Sequence, residues 1–118
     1  MKTYIVVENR KTDYPDPVIL KKGQRVVVDK TEIVDEPEWQ GWVWCVTENN
    51  AGWVPEQILN IQDDNSEPEV KEDYSAKELD IDAGEIVKGE RELNSWLWCL
   101  KENADWGWVP LRNIEFLK

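Results

Sequence analysis

The chain has 118 residues, at or below the size of one ordinary domain, and 14 basic against 25 acidic residues leave a net charge of −11. That charge argues against nucleic acid or an anionic membrane as a partner, since both select cationic surfaces. There is no histidine, so the commonest general base and metal ligand is absent, and no apolar run nears the ~18 residues of a membrane-spanning helix.

The chain opens Met1-Lys2-Thr3-Tyr4, and only Ile5-Val6-Val7 precede Glu8. That apolar stretch is too short for a secretion signal, so a cytoplasmic setting is expected. Val18-Ile19-Leu20-Lys21-Lys22-Gly23 ends in a glycine, the residue that supplies positive φ in a tight turn. Arg25-Val26-Val27-Val28 reads as a short strand. Asp29 to Gly41 is polar, contains Pro37 and reads as a loop. Trp42-Val43-Trp44-Cys45-Val46-Thr47 is rich in strand formers, Asn49-Asn50-Ala51-Gly52 signals a turn, and Trp53-Val54-Pro55 resumes extended backbone. Gln62 to Glu69 is acidic, holds Pro68 and lacks large apolar side chains, which is a linker composition. Its Asp63, Asp64, Glu67 and Glu69 lack the glycine and the ligand spacing of a calcium loop, so they read as solvated charge.

The remainder repeats what came before. Trp42-Val43-Trp44-Cys45 returns as Trp96-Leu97-Trp98-Cys99, 54 residues later. Gly52-Trp53-Val54-Pro55 returns as Gly107-Trp108-Val109-Pro110 at 55, and Leu20-Lys21-Lys22-Gly23 parallels Ile81-Asp82-Ala83-Gly84 at 61. The fall in offset places seven extra residues in the first copy, inside the polar loop, where insertions are tolerated. Two all-β copies follow, at residues 1–61 and 70–118, separated by the acidic linker 62–69.

Eight tryptophans in 118 residues stand out. Residues i and i+2 of a strand share a face. Cys45 and Cys99 suit a small interior better than the indoles do, so Trp42, Trp44, Trp96 and Trp98 are expected outward and half-wet. Val54 and Val109 then go inward, and Trp53, Pro55, Trp108 and Pro110 join the outward strip. The two cysteines behave as small core hydrophobes rather than as a disulfide framework.

Each copy resembles an SH3 domain of the variant bacterial kind. The resemblance rests on the opening Val70-Lys71-Glu72-Asp73-Tyr74, the turns ending in Gly23 and Gly84, the two Trp-x-Trp-Cys strands and the two Gly-Trp-Val-Pro blocks. It implies two five-stranded barrels in tandem. It also implies a peptide-binding groove on each: Tyr14, Trp42, Trp53 and Pro55 on the first, and Tyr74, Trp96, Trp108 and Pro110 on the second. Acidic residues beside such a groove select basic ligand residues. Asp13, Asp16 and Glu38 are the candidates in the first copy, and Asp73, Glu78 and Asp80 in the second. The sequence departs from the family where a groove aromatic normally follows the proline by three, since Ile58 and Asn113 stand there.

The expected function is therefore recognition of extended, proline-containing or basic peptides by a monomer or homodimer, with no cofactor and no metal. The alternative is an assembly protein whose indoles pack internally, and glycan or cell-wall binding ranks below both. Catalysis ranks last, because neither cysteine has a partner base and no phosphate loop appears.

Overall fold

A computed structural model describes residues 1–12, 16–29, 41–61 and 67–118. Asp13, Tyr14, Glu38, residues 30–40 of the long loop and 62–66 of the linker lie outside the described residues. The protein is all-β, and no α-helix occurs among the described residues. In chain order the strands are β1 (Lys2–Val6), β2 (Ile19–Leu20), β3 (Val27–Asp29), β4 (Trp42–Val46), β5 (Ala51–Pro55), β6 (Leu59–Asn60), β7 (Glu69–Val70), β8 (Tyr74–Ser75), β9 (Ile86–Leu93), β10 (Trp96–Lys101), β11 (Trp106–Pro110) and β12 (Ile114–Phe116). One 3-10 turn follows each Gly-Trp-Val-Pro block, at Glu56–Ile58 and Leu111–Asn113.

The strands sort into two compact units. The first comprises Met1–Pro15 and Lys77–Lys118, and the second Asp16–Ala76. The first unit carries a five-stranded sheet in the order β11-β10-β9-β1-β12, with every pair antiparallel. Its core is Val6, Leu79, Ile81, Val87, Leu97, Cys99, Val109 and Ile114, with Tyr4 and Leu111 packed against it. Asn94 and Ser95 turn β9 into β10 at φ of 49° and 71°, the left-handed pair that suits the twist of a two-residue hairpin. A register shift opposite Trp98 and Cys99 leaves one extra residue on β9, and the bulge lets that long strand bend. Gly89 beside it is required by space, since an added Cβ would sit 2.3 Å from Leu97 Cδ2.

The second unit holds the sheet β3-β4-β5 and the pairs β2-β8 and β6-β7. Val18, Leu20, Val26, Cys45, Val54, Ile58, Leu59 and Val70 are all at most 2% exposed and supply its interior. Closed barrels are not what the pairings describe, because none of the sheets closes on itself among the described residues.

The boundaries at 61 and 70 are corrected by the chain's path. β1, which opens the first copy, pairs with β12 and β9 of the second copy. β7 and β8, which open the second copy, pair with β6 and β2 of the first. The end of the expected linker is therefore a strand: Pro68 is buried, its carbonyl accepts the Val26 N–H at 3.2 Å, and Glu69–Val70 forms β7.

The exchange is reciprocal to the level of single hydrogen bonds. Val6 N–H donates to the Glu85 carbonyl and Gly84 N–H to the Val6 carbonyl, both at 2.8 Å. In the other unit Val70 N–H donates to the Gln24 carbonyl and Gly23 N–H to the Val70 carbonyl, also at 2.8 Å. Asn9 Oδ1 accepts the Ala83 N–H at 2.6 Å, as Asp73 Oδ1 accepts the Lys22 N–H at 2.9 Å. Val6 and Val70, Asn9 and Asp73, and Arg10 and Tyr74 are thus equivalent positions, each pair 64 apart. The glycine turns match too. Gly23 and Gly84 adopt φ of 91° and 96°, and the turns are closed by Gln24 Oε1 on the Lys21 N–H and Glu85 Oε1 on the Asp82 N–H. The Asp82 N–H, with Lys101 nearby, holds the Glu85 carboxyl below the usual carboxylate range.

Candidate functional site

The candidate residues lie on the hairpins β4–β5 and β10–β11. Register puts Trp42 opposite Pro55 and Trp44 opposite Trp53 in one, and Trp96 opposite Pro110, Trp98 opposite Trp108 and Leu100 opposite Trp106 in the other. Directly opposed side chains come within contact range. Trp44 and Trp53 meet edge to face with centroids 5.1 Å apart, and Trp98 and Trp108 do the same at 5.2 Å. Trp98 also stacks on Trp106 at 6.3 Å and 15°. These are favoured aromatic geometries. Leu97, Cys99 and Val109 alternate with the indoles and belong to the aliphatic core, so period-two alternation assigns the faces of this hairpin.

Exposure is another matter. Trp42, Trp53, Trp96 and Trp108 retain 8%, 7%, 1% and 5% of their surface, and Pro55 and Pro110 are buried as well. The expected half-wet row is corrected to four covered indoles, because rings on one face of a narrow hairpin pack on each other and on the segment above them. The partly exposed tryptophans are Trp44, Trp98 and Trp106. Trp106, two residues before Trp108, carried the alternation signal that would have placed it in the site.

Over Trp96 lies Arg10. Its guanidinium carbon is 5.1 Å from the ring centroid, and its Nη2 is 3.4 Å from Glu78 Oε1. Arg10 was legible only through the equivalence with Tyr74. In the second unit the Tyr74 hydroxyl donates to the Trp53 carbonyl at 3.1 Å. Tyr74 therefore sits with Trp53 of the first copy, not with Trp96 and Trp108 as expected, and the opening-strand exchange is the reason.

The acidic candidates divide. Asp16 is exposed, and its carbonyl accepts from Asn50 Nδ2 at 3.3 Å. Asp73 and Asp80 are exposed, but each carboxylate accepts a backbone N–H, from Lys22 at 2.9 Å and from Thr12 at 2.8 Å. Glu78 is half-buried and ion-paired with Arg10. Ile58 and Asn113, where the family has an aromatic, are structural. Ile58 is 1% exposed, and Asn113 Nδ2 donates to the Glu8 carbonyl at 3.0 Å.

Both cysteines are free and buried, and burial pushes each thiol up to about 12. Among the described residues no cluster of three potential metal ligands occurs, and no helix is long and apolar enough to cross a membrane.

An all-β chain with paired Trp-strand hairpins, Gly-Trp-Val-Pro blocks and 3-10 turns closing into a last strand fits one family. Residues 3–62 match the variant SH3 domain, and the chain belongs to that family, whose members are non-catalytic protein-interaction modules. Among curated proteins it is similar to human SH3 and PX domain-containing protein 2B, 27% identical over 131 aligned residues, and to the mouse protein of that name, 26% identical. Each alignment covers 98% of this chain and 14% of the relative, so the chain spans about a seventh of those proteins' length. Both relatives are mammalian, which replaces the bacterial likeness read from the sequence. No solved structure gives a significant match.

Proposed function

We propose that the protein is a non-enzymatic binding module with two variant SH3 domains, which recognises extended peptides carrying proline and basic residues. The second domain is the copy at 70–118, supported by the matched turns, strands and opening-segment hydrogen bonds. The observation that carries the peptide reading is the pair of cross-strand indole clusters, Trp44 with Trp53 and Trp98 with Trp106 and Trp108. Indole faces suit stiff, extended segments, and the net charge of −11 favours basic ones. A cytoplasmic setting belongs to the proposal, supported by the two free cysteines.

A second reading, assembly through internal packing of the indoles, draws on the low exposure of Trp42, Trp53, Trp96 and Trp108. One experiment separates the two. The indole N–H resonances are followed by NMR while an array of proline-rich peptides, with and without basic residues, is titrated in. Peptide binding predicts saturable shifts of Trp44, Trp98 or Trp106, strongest for basic peptides and weakened by salt. No shift from any peptide, with acrylamide unable to quench the emission, decides for assembly.

A further inference from the structure

The recess above Trp96 is filled by the chain itself. Arg10 stacks over the ring at 5.1 Å and reaches Glu78 at 3.4 Å, and the Arg10 and Glu78 side chains are only 15% and 6% exposed. A flat cation on an indole face, with a carboxylate at its edge, is the chemistry by which a protein takes up a guanidinium group. Nothing in the fold demands arginine there, since the equivalent position of the other unit is Tyr74. The seat is also imperfect: the Arg10 Nε–H is buried without an acceptor, and a desolvated donor left unpaired weakens the hold.

We propose that Trp96 and Glu78 form a guanidinium-binding recess whose resident occupant is Arg10. Any arginine offered by a partner must displace Arg10 before it can use the ring or the carboxylate. The Trp96 side of the first unit therefore discriminates against basic ligands while Arg10 is seated and accepts them when it leaves. The recess stands on its own geometry; its use in recognition rests on the peptide-binding reading.

The test uses the full chain, with the Trp96 indole N–H assigned by Trp96→Phe. L-argininamide, a free guanidinium compound, is titrated into wild type, Arg10→Ala and Arg10→Gln, the last keeping much of the side-chain bulk without its charge. At least tenfold tighter binding at Trp96 is expected in Arg10→Ala, with a smaller gain in Arg10→Gln. Adding Glu78→Gln to either variant is expected to abolish the gain. Equal shifts in wild type and both variants, or a gain that survives Glu78→Gln, would overturn the proposal. The same series is repeated with an arginine-containing proline-rich peptide. If argininamide reaches Trp96 in the variants but no peptide moves any indole, the recess stands and the peptide reading falls. If argininamide fails there, the recess falls whatever the peptides do.

Discussion

Cys45 and Cys99 show how little a reactive side chain expresses once the fold encloses it. Each is fully buried, and its thiol is raised from 9.0 to about 12. A folded pKa above the unfolded one means that the native state favours the neutral thiol. The linked stability is therefore complete below about pH 9 and lost as the pH climbs towards 12. In urea unfolding, the stability advantage of wild type over the double variant Cys45→Ala, Cys99→Ala is expected to shrink between pH 8 and pH 11. A constant gap would contradict this. Interior cysteines were readable from alternation alone, because a small apolar side chain between two indoles has one sensible direction. The roles of Arg10 and Asn113 were not readable, because both depend on groups far away in the chain, at Glu78 and Glu8.

At the scale of the element, the hairpins β4–β5 and β10–β11 repeat one another residue for residue, and their differences sit at the ends. The first unit uses the two-residue turn Asn94-Ser95 where the first copy has its long polar loop. It also has Trp106 where the other hairpin carries Ala51. Strands, turns and faces were legible because they follow from local periodicity and turn chemistry. The bulge on β9 was not, since it answers to the packing of Leu97 and Tyr4 against Gly89. Gly89→Ala would drive a methyl to 2.3 Å from Leu97 Cδ2. Overpacking of this kind costs about 1–3 kcal/mol, so a lower thermal midpoint is expected, and Leu97→Ala in the same chain should recover part of the clash. A Gly89→Ala protein as stable as wild type would show that the strand yields freely there.

For the whole molecule, the exchange of opening segments changes which residues depend on which. Val70 lies in the second copy of the sequence but is 1% exposed inside the unit that holds β4 and β5, while Val6 serves the unit of β10 and β11. Placing a carboxylate at such a site is expected to cost at least about 2 kcal/mol. Hydrogen exchange of Val70→Asp should therefore lose protection in residues 42–55 and keep it in 96–110, and Val6→Asp should do the reverse. Protection lost within the mutated copy itself would mean that the opening segments are not exchanged. Family membership, by contrast, is insensitive to the exchange, because the match over residues 3–62 follows the order of the chain rather than its path.

From the sequence alone came everything that nearest neighbours along the chain control: an all-β chain, a twofold repeat, glycines at the turns, cysteines inward and indoles on the other face. Tertiary structure alone decided how far those indoles are covered, that Arg10 lies on Trp96, and which opening strand completes which unit. The physical reason lies in the repeat itself. Two copies present nearly equivalent edges to either opening segment, so local propensity and strand pattern do not choose between them. That choice belongs to the global arrangement of backbone hydrogen bonds and buried valines.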